Sequence, residues 1–375
     1  MSMPGESVLV ANPLASYLAH RPEIDSAIAR VMHSGIYING PELVSFEREF
    51  AAYLGAAGAV GVANGTDALE LALICCGIQP GDKVATVANT VTATVTAIVA
   101  AGAQPVFVDI DPVTMLMDPA SLRKVLASPD GAKIRVVVPV HLYGLPCAMP
   151  EIMKISRDHG CLVIEDCAQA HGSSIKGKMI GLWGDAAAFS FYPTKNLGAF
   201  GDAGAVVSQR PDLLERVKCL RQYGWKARYV SVEHGVNSRM DELQAAILRA
   251  RLPALDADND RRAAIARHYT AGLGSCPLRL PAPAIDRYPV WHQYVVRSPR
   301  RDELRQHLSA AGIGTGIHYP VPVHQQPGYA ANVSLPETEK ACHEVLSLPI
   351  YPSLSDTVID KVIGAVIQAC NSLSP

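Results

Sequence analysis

Aromatic residues are scarce in this chain, 6% of 375 positions, and there is no surplus of basic ones: 33 Lys plus Arg stand against 35 Asp plus Glu, for a formal net charge of -2. Both shortages argue against a nucleic-acid partner, which needs a basic stripe and aromatic stacking platforms. The charge balance argues equally against an anionic membrane surface. The nine cysteines include no C-x-x-C pair and no accompanying His spacing. Neither a metal site nor a disulfide framework is expected, and the thiols read as buried or incidental in a reducing cytoplasm. Long apolar runs are missing too. The nearest approach, Val84 to Val108, is interrupted by Asn89, by alternating threonines and by Gln104. It reads as strand, helix and strand rather than a membrane span. Met1 to Glu6 carries neither a basic n-region nor an apolar h-region, so no signal peptide is expected. No internal repeat or low-complexity segment occurs.

What is present is a large apolar fraction, 49%, with 18% charged residues, enough for an extensive core and far from a disordered composition. The length suggests roughly two domains of about 150 residues each. Val84–Val87, Pro105–Val108, Arg135–Val138 and Leu162–Ile164 are short, continuous apolar runs, the pattern of parallel strands buried on both faces. Helical stretches lie between them, including Asp67–Cys76 and Pro150–His159. This alternation predicts an α/β fold with a mostly parallel central sheet flanked by helices. The pattern changes after Leu252. A charged helix (Asp256–Tyr269), a Pro-rich connector (Leu280–Pro283), a strand (Tyr294–Arg297) and a final helix capped by Ser355 predict a smaller C-terminal α+β domain. The expected division is 1–252 and 253–375. The helix around Ile24, Ile28, Val31 and Met32 could pack on either part.

Four short segments carry candidate chemistry. Ala186–Phe189 is an apolar strand that leads into Ser190, an aromatic pair, Lys195 and then glycines. A lysine beside a buried strand end is expensive unless its amine is used, most simply to form an imine with the aldehyde of pyridoxal phosphate (PLP). Gly65 ends an extended segment and Thr66-Asp67 begins a helix, whose free backbone amides make a ready phosphate site. Asp166 closes the apolar strand before Cys167-Ala168-Gln169, where functional groups gather in parallel sheets. A carboxylate there can keep a pyridine nitrogen protonated, and Gln169 can reach a ring oxygen. Asn237-Ser238-Arg239 precedes the helix Asp241–Arg251. Each segment also has a plain reading: a solvated lysine, an ordinary N-cap, a turn cap, a capped surface helix. Together, in one α/β domain, they form the set that PLP chemistry needs.

The segments Glu165-Asp166-Cys167-Ala168-Gln169-Ala170 and Phe189-Ser190-Phe191-Tyr192-Pro193-Thr194-Lys195 resemble those of the DegT/StrS-type sugar aminotransferases, a branch of the aspartate-aminotransferase-like fold (fold type I). The resemblance runs from Ser34-Gly35-Ile36 to Leu348-Pro349. It implies PLP bound through Lys195, with Asp166 on the pyridine nitrogen and Gln169 beside the ring hydroxyl. It implies phosphate contacts from Gly65, Thr66 and Ser190, and from Asn237 of a partner subunit, so that the active site belongs to a homodimer. His318 and Tyr319 match the segment near the sugar. Arg228 and Arg239 match candidates for a nucleotide diphosphate or an amino-donor carboxylate. Val91 stands where many relatives stack an aromatic residue on the PLP ring. The implied reaction moves an amino group from L-glutamate to a nucleotide-linked keto-sugar, with a lean toward C3, in the cytoplasm. A PLP-dependent sugar dehydratase and a non-catalytic regulatory binder are the alternatives. The retained Lys195 favours transamination.

Overall fold

The computed structural model describes residues 7–282 and 285–373; Met1–Glu6 and Pro283 of the expected connector lie outside them. The large sheet has seven strands: β1 (Gly58–Val62), β2 (Lys83–Val87), β3 (Gln104–Val108), β4 (Ile134–Val138), β5 (Leu162–Asp166), β6 (Ala186–Ser190) and β7 (Gly204–Ser208). Their spatial order is β1-β7-β6-β5-β4-β2-β3. The run from β3 to β6 is parallel. Only β7 runs against its neighbours, pairing antiparallel with β6 and β1. Three of the four apolar runs read from the sequence, in β2, β4 and β5, became the buried parallel centre; the fourth, β3, is the edge strand, with Pro105 and Val106 only half-buried. β1 and β7 did not show up as strands in the sequence. Glycines dilute β1 and open β7, and glycine weakens a strand pattern.

Small residues govern how the first crossover helix sits. Ala186 and Ala188 of β6 pack with Ala68, Leu71 and Ala72 of the helix Gly65–Cys75 in one buried cluster. Alanine at these positions lets the helix lie close to the sheet, which aims its N-terminus at the carboxyl edge of β6. Gly65 itself touches that edge. A Cβ on Gly65 would lie 2.6 Å from the Ser190 Cβ, closer than real carbon atoms approach.

Past the helix Glu242–Arg251 and a short turn, the helix Leu255–Leu273 packs along the last helix, Asp356–Ser372. The Ser355 hydroxyl accepts from the Val358 amide at 3.3 Å, as the capping pattern predicts. A two-stranded antiparallel sheet, Tyr294–Arg297 with Val345–Leu348, completes this part. The N-terminal segment spans both regions. Its helix Arg21–Ser34 packs Ala27 and Val31 against Ala246. Upstream, Val8 exchanges backbone hydrogen bonds with Gly312 and Gly314 at 2.8 and 2.7 Å. Among the described residues no helix is long and apolar enough to cross a membrane.

Candidate active site

The carboxyl ends of β5 and β6, the start of the helix Gly65–Cys75 and the segment 316–320 enclose a cavity of about 340 Å³. β5 delivers Asp166 to it. Asp166 is buried; its Oδ1 accepts from the Ala168 amide at 3.1 Å and its Oδ2 from the Thr94 hydroxyl at 2.9 Å. Burial raises its carboxyl above the usual range, while those two donors and the charge of Lys195 pull it back down. The turn cap and the cavity-facing carboxylate are therefore one residue.

Beyond the end of β6, the chain turns and Lys195 donates its amide to the Tyr192 carbonyl at 2.8 Å. Its side chain lines the same cavity as Asp166. Burial disfavours the ammonium and brings the amine down to about 8, with Asp166 opposing the shift. A lysine so placed is available as a neutral amine near physiological pH.

At the other end of the cavity, Asn64 caps the helix. Its side-chain oxygen accepts from the Asp67 amide at 2.8 Å and its carbonyl from the Ala68 amide at 3.1 Å. The helix thus starts at Gly65, one residue earlier than Thr66. The amides of Gly65 and Thr66 stand at its open end beside the Ser190 hydroxyl, and all three residues line the cavity. A first helical turn carries amides with no intrahelical partner, where an anion is favoured.

Gln169 is fixed at both ends. Its Oε1 accepts from the Tyr143 amide at 2.7 Å, and its Nε2 donates to the Tyr319 hydroxyl at 3.3 Å. His318 and Tyr319 line the cavity. The His318 carbonyl accepts from the Tyr143 hydroxyl and its Nδ1 meets Ser347 Oγ at 2.8 Å. Burial, helped by the Lys195 charge, lowers His318 to about 4, so its ring is neutral. Burial raises the Tyr319 phenol to about 12, so it keeps its proton. Val91 lines the cavity too and is exposed.

Three expected site residues lie outside this cavity. Asn237 is exposed, and Arg228 and Arg239 line a separate groove with Trp225 and Tyr229. The expectation that Asn237-Ser238-Arg239 caps the following helix is corrected. That helix begins after Asp241 without a side-chain cap. Ser238 instead donates to Asp67 at 2.6 Å and accepts from the Ala63 amide at 3.1 Å, which anchors the loop beside the Gly65 helix start.

The cavity also holds residues that the sequence reading missed. Thr94 is the main one; the only trace it leaves in the sequence is a buried hydroxyl in an apolar helix. His292 is another. Asn196 uses its amide nitrogen on Asn259 and Val290, so its oxygen accepts from His292 Nδ1 at 3.2 Å. That leaves Nε2 of His292 as an acceptor, and burial holds its ring neutral. Nothing in the local sequence distinguishes it.

The donor set fits a phosphorylated pyridine aldehyde: amides and a hydroxyl for the phosphate, a carboxylate for the ring nitrogen, an amide for a ring oxygen, an amine for the aldehyde. The tight Gly65–Ser190 approach leaves the helix start open, where a side chain on Gly65 would intrude. The comparisons with known proteins agree. Residues 19–367 match the model of the DegT/DnrJ/EryC1/StrS aminotransferase family. A dTDP-3-amino-3,4,6-trideoxy-alpha-D-glucose transaminase of Streptomyces venezuelae is 48% identical over 94% of this chain and 93% of its own length. The crystal structure of S. venezuelae DesV in complex with a ketimine intermediate superposes with a TM-score of 0.95 at 47% identity, covering 98% of this chain and all of the other. The Bacillus subtilis protein ntda, solved with bound cofactor PMP, gives 0.88 at 30% identity over 99% of this chain and 87% of that one. The chain belongs to the DegT/DnrJ/EryC1/StrS aminotransferase family.

Proposed function

We propose that this protein uses PLP to move an amino group from L-glutamate to C3 of a nucleotide-linked keto-sugar. The observation that carries the reading is the placement of Lys195 and Asp166 in one cavity whose far end is the open helix start at Gly65 and Thr66. The relative whose name specifies a 3-amino sugar supports the C3 position. PLP supplies an electron sink that accepts the electron pair left on a substrate carbon when its proton departs.

The chain's own residues do the rest. Gly65, Thr66 and Ser190 hold the phosphate with two amides and a hydroxyl. Asp166 holds the pyridine N–H, and Gln169, clamped between Tyr143 and Tyr319, donates toward the ring hydroxyl. Val91 would offer the ring an apolar contact. The Lys195 amine, brought down to about 8, would be the base that takes the proton from the donor's Cα and, as the ammonium, the acid that returns it. The same group can then run the reverse transfer on the sugar. His318 and Tyr319, both uncharged, line the side where the sugar enters and exclude water from it.

The reading extends to a homodimer in which Asn237, Arg228 and Arg239 serve the partner's cavity. Exposed Ile36, Tyr37, Ile38, Tyr223, Tyr229 and Val230 support it, since a monomer rarely leaves so many large apolar side chains open. Guanidiniums on that face suit a diphosphate or carboxylate. A division near Leu252 into a PLP-binding and a smaller domain, and a cytoplasmic location, belong to the same reading; no disulfide joins the described residues. The test is mass spectrometry of products from dTDP- and UDP-linked 3-keto and 4-keto sugars incubated with glutamate. A 3-amino product supports the proposal. A 4-amino product moves the carbonyl position, and loss of water without nitrogen gain overturns transamination.

A further inference from the structure

Thr194 and Lys195 also line a second and much smaller cavity of about 40 Å³. The helices Pro13–Ala19 and Leu255–Leu273 and the backbone around Thr194 and Lys195 surround it. Two arginines line it, Arg251 and Arg262, each only 6% exposed. Their hydrogen bonds go to neutral groups. Arg251 donates to the Gly198 carbonyl and, at 2.6 Å, to the Ser16 hydroxyl. Arg262 donates from Nη1 to the carbonyls of Trp291 and Ile350 at 3.3 and 3.0 Å. The Arg262 Nε is a buried donor without an acceptor.

Among the described residues neither guanidinium has a carboxylate within the 4.0 Å of an ion pair. The one acid on the wall, Asp258, stands instead 3.9 Å from His20. Two buried cations against one partly exposed carboxylate leave the wall net positive. Burial drives Arg262 down to about 10, and the neighbouring Arg251 adds to the shift while Asp258 opposes it. An uncompensated buried charge is among the larger penalties a fold can carry, and a buried donor left unsatisfied calls for an ion or a water.

We propose that this cavity is a binding site for one small inorganic monoanion of chloride size. Net positive charge selects an anion over water, which would leave that charge unbalanced. The cavity is far smaller than the candidate active site, about 40 against 340 Å³, which favours a compact inorganic anion over a substrate-sized one. The ion's structural work follows from the helix Pro13–Ala19, none of whose side chains is fully buried and which is tied to the core through Ser16 and Arg251. The anion completes that attachment from the other side of the same guanidinium.

Two measurements on the PLP-loaded protein test the site. Crystals grown in bromide should show an anomalous peak between Arg251 and Arg262. In solution, replacing gluconate by chloride at constant ionic strength should raise Tm by about 2–4 °C. Arg262→Met should remove both signals. Asp258→Asn, which removes the opposing charge and keeps both arginines, should enlarge the chloride effect and keeps the test alive where Arg262→Met fails to fold. Equal Tm in chloride and gluconate overturns the proposal, as does a cavity without a bromide peak. A peak seen only at molar bromide, without the Tm difference, marks an ion forced in by the soak and overturns it as well.

Discussion

Glu165 and Asp166 are consecutive carboxylates at the end of β5, both buried, 0% and 4% exposed, and strand geometry sends them to opposite faces. Glu165 is surrounded by donors. It accepts from the amides of Gly181, Trp183 and Gly184 at 3.0, 2.7 and 2.8 Å and meets His141 Nε2 at 3.2 Å. The Cys147 amide donates to His141 Nδ1 at 3.0 Å, so Nε2 carries the proton and donates to Glu165. Asp166 has two protein donors and opens onto the cavity. Burial alone does not mark a working carboxylate. The difference is whether the protein has used up its acceptor capacity: Glu165 is spent on the fold, and Asp166 keeps room for a ligand.

The largest expected effect separates the two by swapping each for its amide. Asp166→Asn should lower turnover by on the order of 10²–10³, as removal of one fixed electrostatic stabiliser does. It should leave Tm the same or slightly higher, because an incompletely paired buried charge is gone. Glu165→Gln should do the reverse. An amide cannot accept from all four donors, so stability should fall by about 3 kcal/mol, the worth of a charged buried hydrogen bond or two. Turnover per folded molecule should stay at the wild-type level. Urea unfolding and steady-state kinetics on both variants check this. Loss of activity in both, at equal stability, would erase the distinction.

A smaller effect is expected from Thr94, which joins Thr90 at 2.9 Å and donates to Asp166 Oδ2. Thr94→Val keeps the shape and removes the donor. The carboxylate loses one of the two hydrogen bonds that hold its charge, a change of about 1–3 kcal/mol. Turnover should fall roughly tenfold, and cofactor should dissociate more readily, while Thr94→Ser restores both. Equal behaviour of the valine and serine variants would reduce Thr94 to packing.

What could be read in advance follows the same division between local and long-range causes. β4, β5 and β6 are legible because a strand buried on both faces is an unbroken apolar run. The cavity positions of Asp166 and Lys195 are legible because functional groups gather where such runs end, and the resemblance of their flanking residues sharpened both. Ser238 was misread because a polar turn before a helix has the form of a cap, while its real partner, Asp67, lies 171 residues away. Thr94, 72 residues from Asp166, left no periodicity to find. The strands β1 and β7 were hidden by glycine, and pairing with each other defines them. A pattern within about ten residues carries an element's type, whereas the partner of a polar side chain is set by the sheet order.

The smallest effect concerns Lys195 itself and tests whether Asp166 acts on it through charge. Only the neutral amine attacks an aldehyde, and burial lowers the amine from 10.5 to about 8 against the opposing pull of Asp166. In cofactor-free enzyme, the rate of recombination with saturating PLP should therefore rise with pH, with a midpoint near 8. The sign for Asp166→Asn follows directly. The carboxylate favours the ammonium, so removing it should move the midpoint further down. Glu165→Gln, which changes a charge facing away from the cavity, should leave it in place. Stopped-flow absorbance of the lysine-bound cofactor reads all three profiles. A midpoint near the 10.5 of an ordinary lysine would show that the amine is solvated, and an unshifted Asp166→Asn profile would show that the two groups do not feel each other across the cavity.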